Sequence, residues 1–121
     1  MTTTTTHTFD ASALRRAYSE RDLSGALALY DDDARLELVD AKNTPSQPRR
    51  VEGRDQIKAH LGDVFERDLS HEIDIVAVAP DALGYTLRCR YPDGTLVMCA
   101  ATAELKDGKI VREVAVQAWD S

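Results

Sequence analysis

The chain has 121 residues, with 15 Lys and Arg against 21 Asp and Glu, a formal net charge of -6 and a hydrophobic fraction of 43%. That length fits one domain with its own core. The acidic balance excludes nucleic acid and anionic lipid as partners held by charge over the whole surface, and no apolar run is long enough to span a membrane.

The first stretch, MTTTTTHTFD, has no Lys or Arg and no apolar segment, so it does not read as a secretory signal. Residues 1–8 are expected to form a loose Thr-rich tail, disordered because it has little to bury, ahead of one domain over 9–121. The expected compartment is cytoplasmic, with Cys89 and Cys99 reduced. Neither cysteine has a Cys-x-x-Cys partner or a His pair beside it, so no metal and no cofactor is expected.

Asp10 or Ser12 caps a first helix with Leu14, Ala17, Tyr18 and Arg21 on one stripe. A second short helix is expected through Ala26, Leu27, Leu29 and Tyr30, closed by Asp31–Asp33, whose charges oppose the helix dipole. ARLELVD then alternates as a strand, with Leu36, Leu38 and Asp40 on one face. AKNTPSQPRRVE is read as a long loop and candidate lid, and GRDQIKAHLGDVFERDL as an amphipathic helix with Ile57, Leu61, Val64 and Phe65 inward. Four strands follow (HEIDIVAVA, ALGYTLRCRY, TLVMCAATAEL and KIVREVAVQAW), separated by PD, PDG and KDG turns. The order predicts an α+β fold, helices gathered on one face of a curved antiparallel sheet.

The contiguous Asp31, Asp32 and Asp33 lack the spacing of a calcium loop and read as a solvated helix end. Asp40 is the carboxylate that shares a face with Leu36 and Leu38. It reads either as a general base at a pocket mouth, its pKa raised in a partly dry site, or as an Asx cap on the loop that follows.

The motifs LYDDDARLEL, VEGRDQI, DGKIVREV and a final AWD, in that order over about residues 10–120, resemble the nuclear transport factor 2-like superfamily, closest to its SnoaL-like branch. The resemblance implies a cone-shaped α+β barrel, a curved sheet wrapped around three helices with an internal pocket. It spans isomerases, cyclases, epoxide hydrolases, dehydratases and binding proteins, so fold alone does not choose the activity. The positions that carry the isomerase oxyanion donor, base and second donor hold Leu14, Leu38 and Ala101 or Ala103, which cannot donate or accept a proton. The Arg-x-Asp of the epoxide hydrolases is replaced by Arg88-Cys89-Arg90.

If Asp93-Gly94 and Asp107-Gly108 are both two-residue turns, Arg88, Arg90, Cys99, Val114 and Val116 share the pocket face. Leu87, Met98 and Trp119 then lie on the opposite face, apolar enough to meet a second copy, and a homodimer through the sheet is expected. A bulge that flips the register and exposes both arginines is the competing reading. The candidate catalytic residues are Asp40 and His60, with Arg88, Tyr18, Leu14, Leu38, Cys99 and Val116 as substrate contacts. A His in this position is more often a hydrogen-bonded residue at the core edge, and a Tyr such as Tyr18 is usually packing. The expected ligand is a small apolar or anionic molecule. The expected activity is a lyase, isomerase or cyclase using an Asp base, with a non-catalytic ligand-binding or accessory dimer as the alternative.

Overall fold

Asp10 starts the first helix by accepting a hydrogen bond from the Ala13 N–H at 3.0 Å, and Asp22 starts the second by accepting from Gly25 N–H at 3.1 Å. In the computed structural model, which describes residues 8–120, these helices are α1 (Ala11–Ser19) and α2 (Leu23–Leu27). Residues 1–7 of the expected tail lie outside the described residues. The remaining elements are β1 (Tyr30–Val39), β2 (Arg49–Glu52), α3 (Arg54–Glu66), β3 (Ser70–Val78), β4 (Ala82–Arg90), β5 (Leu96–Lys106) and β6 (Lys109–Trp119). The six strands form one curved, unclosed sheet in the order β2-β1-β6-β5-β4-β3, with β1 parallel to β6 and all other neighbours antiparallel.

Two element boundaries differ from the sequence reading. The three aspartates do not close a helix; α2 ends at Leu27 and Asp31–Asp33 already belong to β1. Tyr30 and Ala34 are buried and anchor that strand, while the carboxylates stay toward solvent. The expected loop contains a strand: Arg49–Glu52 pairs with Arg35–Leu38, burying Val51 and leaving only 40–48 between strands. One apolar residue in four gives too little alternation to reveal so short a strand.

The helices close one side of the sheet. Leu14, Ile57, Leu61, Leu36 and Ile110 are the largest fully buried side chains, drawn from α1, α3, β1 and β6. Arg15 ties α1 to β3 by donating to the Ile73 carbonyl at 2.6 Å and the Asp74 carbonyl at 3.1 Å.

The decisive departures lie in register. Between β4 and β5, Arg90 pairs with Leu96. Gly94 N–H donates to Tyr91 O at 2.9 Å, and the Pro92–Gly94 loop therefore holds three residues, with Gly94 at φ 92°. Between β5 and β6, Asp107-Gly108 is the expected two-residue turn, both residues at positive φ. The pairing then slips: Leu105 faces Ile110 but Glu104 faces Arg112, so Val111 is an extra residue in β6. Each slip reverses one strand against β5, where Cys99, Ala101 and Ala103 do point inward. On β4 the inward set is therefore Tyr85, Leu87 and Cys89, and on β6 it is Glu113 and Ala115. Arg88, Arg90 and Val116 face the outside; Arg88 pairs with Asp74 at 3.4 Å with nearly half its side chain exposed.

This placement makes a stability contrast. Arg88→Ala should change the unfolding free energy by less than about 1 kcal/mol, because exposed ion pairs contribute little. Leu61→Ala, at 2% exposure, should cost about 2–5 kcal/mol. Urea midpoints of the two variants measure both.

Candidate functional site

Between α1, α3 and the inner face of the sheet lies a cavity of about 470 Å³. Its walls are apolar: Leu38 from β1, Leu61 and Val64 from α3, Leu87 from β4, Val97 from β5 and Ala115 from β6. Its depth is polar, where Glu113 reaches in from β6 beside Tyr85 from β4 and Tyr18 from α1.

Glu113 is 4% exposed and is one of two buried polar residues among those described, His71 being the other. Tyr85 Oη donates to Glu113 Oε1 at 2.8 Å, and Tyr30 Oη lies 3.3 and 3.2 Å from the two carboxylate oxygens. Burial favours the neutral acid and the two phenols favour the anion; burial wins, and the Glu113 pKa is pushed up to about 7. Burial and the Glu113 charge push all three tyrosines above their ordinary value, so Tyr18, Tyr30 and Tyr85 stay protonated donors. Tyr18 is braced by Phe65, ring centroids 5.3 Å apart and nearly perpendicular, and Phe65 in turn by His71 at 5.7 Å.

Asp40 lies on the same β1 face as Leu36 and Leu38 and lines the mouth. Its Oδ1 accepts from the N–H groups of Lys42 and Asn43, each at 2.8 Å, and from Asn43 Nδ2 at 3.1 Å. Those bonds, Asn43 first and Lys42 next, hold its pKa below the ordinary carboxylate value. The expected rise is therefore reversed, and the side chain caps the loop. His60 lines the mouth from α3, its Nδ1 buried without a partner, and burial first and Arg49 second bring its pKa down to about 4. Tyr18, Leu38 and Cys99 line the cavity as expected residues of it. Leu14, 1% exposed, lies in the core and Val116, 49% exposed, on the outer face, so neither borders the cavity.

Both cysteines line the cavity as thiols: burial pushes Cys89 up to about 11 and Cys99 up to about 12. Cys89 Sγ lies 3.2 Å from His71 Nδ1. Among the described residues no group of three or more His, Cys, Asp or Glu is placed to hold a metal ion. No helix among them is long and apolar enough to cross a membrane.

Sequence reasoning missed Glu113, Tyr30 and Tyr85. A lone carboxylate inside the Val- and Ala-rich IVREVAVQAW was the available signal, and the Val111 bulge is what turns it inward. The raised pKa gives a pH signature. The native state holds the Glu113 proton up to about pH 7, whereas an ordinary glutamate releases it near 4.5. The folded chain thus binds more protons between these values. This contribution is complete below pH 4.5 and is lost as pH rises through 7, a fall of about 3 kcal/mol. His60, its pKa brought down to about 4, contributes the opposite slope below its ordinary 6.5 in both proteins, so the fall should appear in the difference between the native sequence and Glu113→Gln, measured by urea unfolding from pH 4.5 to 8.

Residues 11–113 match the SnoaL-like domain family. Among solved structures, an NTF2-like protein of unknown function from Mesorhizobium loti superposes with a TM-score of 0.71 at 18% identity, over 89% of each chain. The epoxide hydrolase/cyclase-like enzyme SalBIII of pyran ring formation in the polyether salinomycin gives 0.66 at 15% identity, over 88% of this chain and 84% of that one. A computationally designed 17-OHP binder gives 0.62 at 18% identity, over 91% and 95%. A comparison with curated proteins finds no match.

Proposed function

The chain belongs to the SnoaL-like domain family, and we propose that its cavity is an acid–base site for proton transfer on a small carbonyl compound, of the isomerase, cyclase or lyase kind. The observation that carries this reading is the buried Glu113 carboxyl with a pKa of about 7, where acid and base forms are both populated at neutral pH. As carboxylate, Glu113 takes a proton from the carbon beside a carbonyl. The C–H electron pair moves into the carbonyl, and the resulting enolate oxygen accepts a hydrogen bond from the protonated Tyr18, since Tyr85 already donates its hydroxyl proton to Glu113. Return of the proton to another carbon completes an isomerisation; in a ring closure the enolate carbon attacks a second carbonyl of the same molecule, and the new alkoxide takes the proton back from Glu113. The base is thus assigned to Glu113 on the last strand, with Asp40 shaping the loop at the mouth.

Glu113→Gln should retain the fold and lower turnover by roughly a hundredfold to ten-thousandfold. Solvent-deuterium exchange at the carbon beside the carbonyl, followed by NMR over a panel of enolisable ketones, reads this directly. Exchange that survives the substitution would remove Glu113 from the chemistry.

One observation favours a second reading, a ligand-binding domain without catalysis: both Glu113 oxygens already accept from phenols. On that reading ketones raise the melting temperature and exchange no protons in either protein.

We also assign the outer face of the sheet to a homodimer contact. Val39, Val116 and Ala100 form one row across three strands and Ala118 and Met98 the next, with Val116 49% and Met98 39% exposed. Leu87 and Trp119, expected on this face, lie on the inner side. Val116→Lys should convert a dimer into a folded monomer, measured as molar mass by light scattering. A native chain that is monomeric throughout would end this assignment.

A further inference from the structure

The cavity changes character from floor to mouth. Among its lining residues the cations are Lys42 from the loop after β1, Arg49 from β2 and Arg67 just past the end of α3. The carboxylates are Glu113 on the floor and Asp40 at the rim. In a chain with an excess of acids, this mouth has an excess of bases.

The three cations are not equally free. Arg67 pairs with Asp63 at 2.7 Å, and Lys42 follows Asp40 in its capped turn. Arg49 takes part in none of the ion pairs among the described residues. Arg49 and Arg67 both lower the His60 pKa, so both guanidinium groups lie near the same imidazole. That imidazole is neutral above about pH 5 and adds no competing charge. An unpaired guanidinium beside apolar walls is the donor set that receives a carboxylate in a two-pronged contact. Tyr91 and Trp119 stand with ring centroids 5.8 Å apart and add aromatic surface to the lining, Tyr91 close to Arg67.

We infer that the ligand of this cavity is a carboxylic acid with an apolar body, its carboxylate held at the rim by Arg49 with support from Arg67. This deepens the proposed reading by fixing the substrate class: a keto acid whose reacting carbonyl reaches the Glu113 floor while the acid group stays at the mouth. The rim contact is an interaction of binding and does not require Glu113 to be a base, so the two can fail separately.

Trp119 is the chain's sole tryptophan and lines the cavity, so its fluorescence reports occupancy. Decanoate, 1-decanol and decylamine, matched in chain length, are titrated into the full chain at pH 8. Decanoate should bind at least tenfold more tightly than decanol, a difference of about 1.4 kcal/mol, and decylamine more weakly than either. Arg49→Gln should remove the preference for decanoate and leave decanol binding unchanged, and high salt should act as the substitution does. Glu113→Gln should keep the preference. Equal affinity for decanoate and decanol, binding of neither, or a preference that survives the Arg49→Gln, Arg67→Gln double variant would overturn the rim assignment. Those results leave the pH signature of Glu113 as a separate test of the floor.

Discussion

The structure turns on one buried carboxyl. A glutamate removed from water must find hydrogen-bond donors or remain neutral, and Glu113 does part of each. Its donors come from the first residue of β1 and the middle of β4, so a single side chain on β6 joins three strands of the sheet at one point. Such a network has demanding geometry. Either tyrosine displaced leaves a buried group unsatisfied, which penalises alternative registers of the strands that carry it.

The same cavity shows how environment sorts similar groups into different roles. Asp40, just past β1, and Glu113, on β6, are both carboxylic acids that line the cavity. Asp40 sits at a strand end among backbone N–H donors and is held as an anion; Glu113 sits in a dry interior and shares its proton near neutrality. The two cysteines lie among apolar groups without a cation strong enough to draw out the thiolate, so burial leaves them as unreactive thiols. From floor to mouth the lining passes from protonated phenols through aliphatic walls to guanidinium groups. On the proposed reading, that gradient would select an amphipathic molecule by its two ends and set its orientation.

The outside of the sheet has a different logic. A sheet packed on helices on one side needs only one apolar face, yet β5 and β6 present Met98, Ala100, Val114 and Val116 on the other. Polar groups frame this surface: Glu37 with Arg112 at one end and Arg88 with Asp74 at the other. The edge strand β3 carries Glu72 and Asp74, charges that discourage further strand addition there. The sheet thus carries charge at that edge and apolar groups on its outer face, which supports the proposed dimer contact.

The sequence by itself determined the α+β class, the three helices, five of the six strands and the two tight-turn sites, because these follow from local periodicity, caps and Asp-Gly pairs. It also aligned the chain with the SnoaL-like family through short motifs in a fixed order. Only the tertiary structure decided which face of β4 and β6 is inside. Strand faces alternate with a period of two, so a three-residue turn at Pro92–Gly94 and the extra Val111 each reverse a whole strand. Both faces are apolar enough that hydrophobicity alone does not choose between them. The choice is made where Glu113 meets Tyr30 and Tyr85, a contact between residues 28 and 83 positions apart that no local pattern contains.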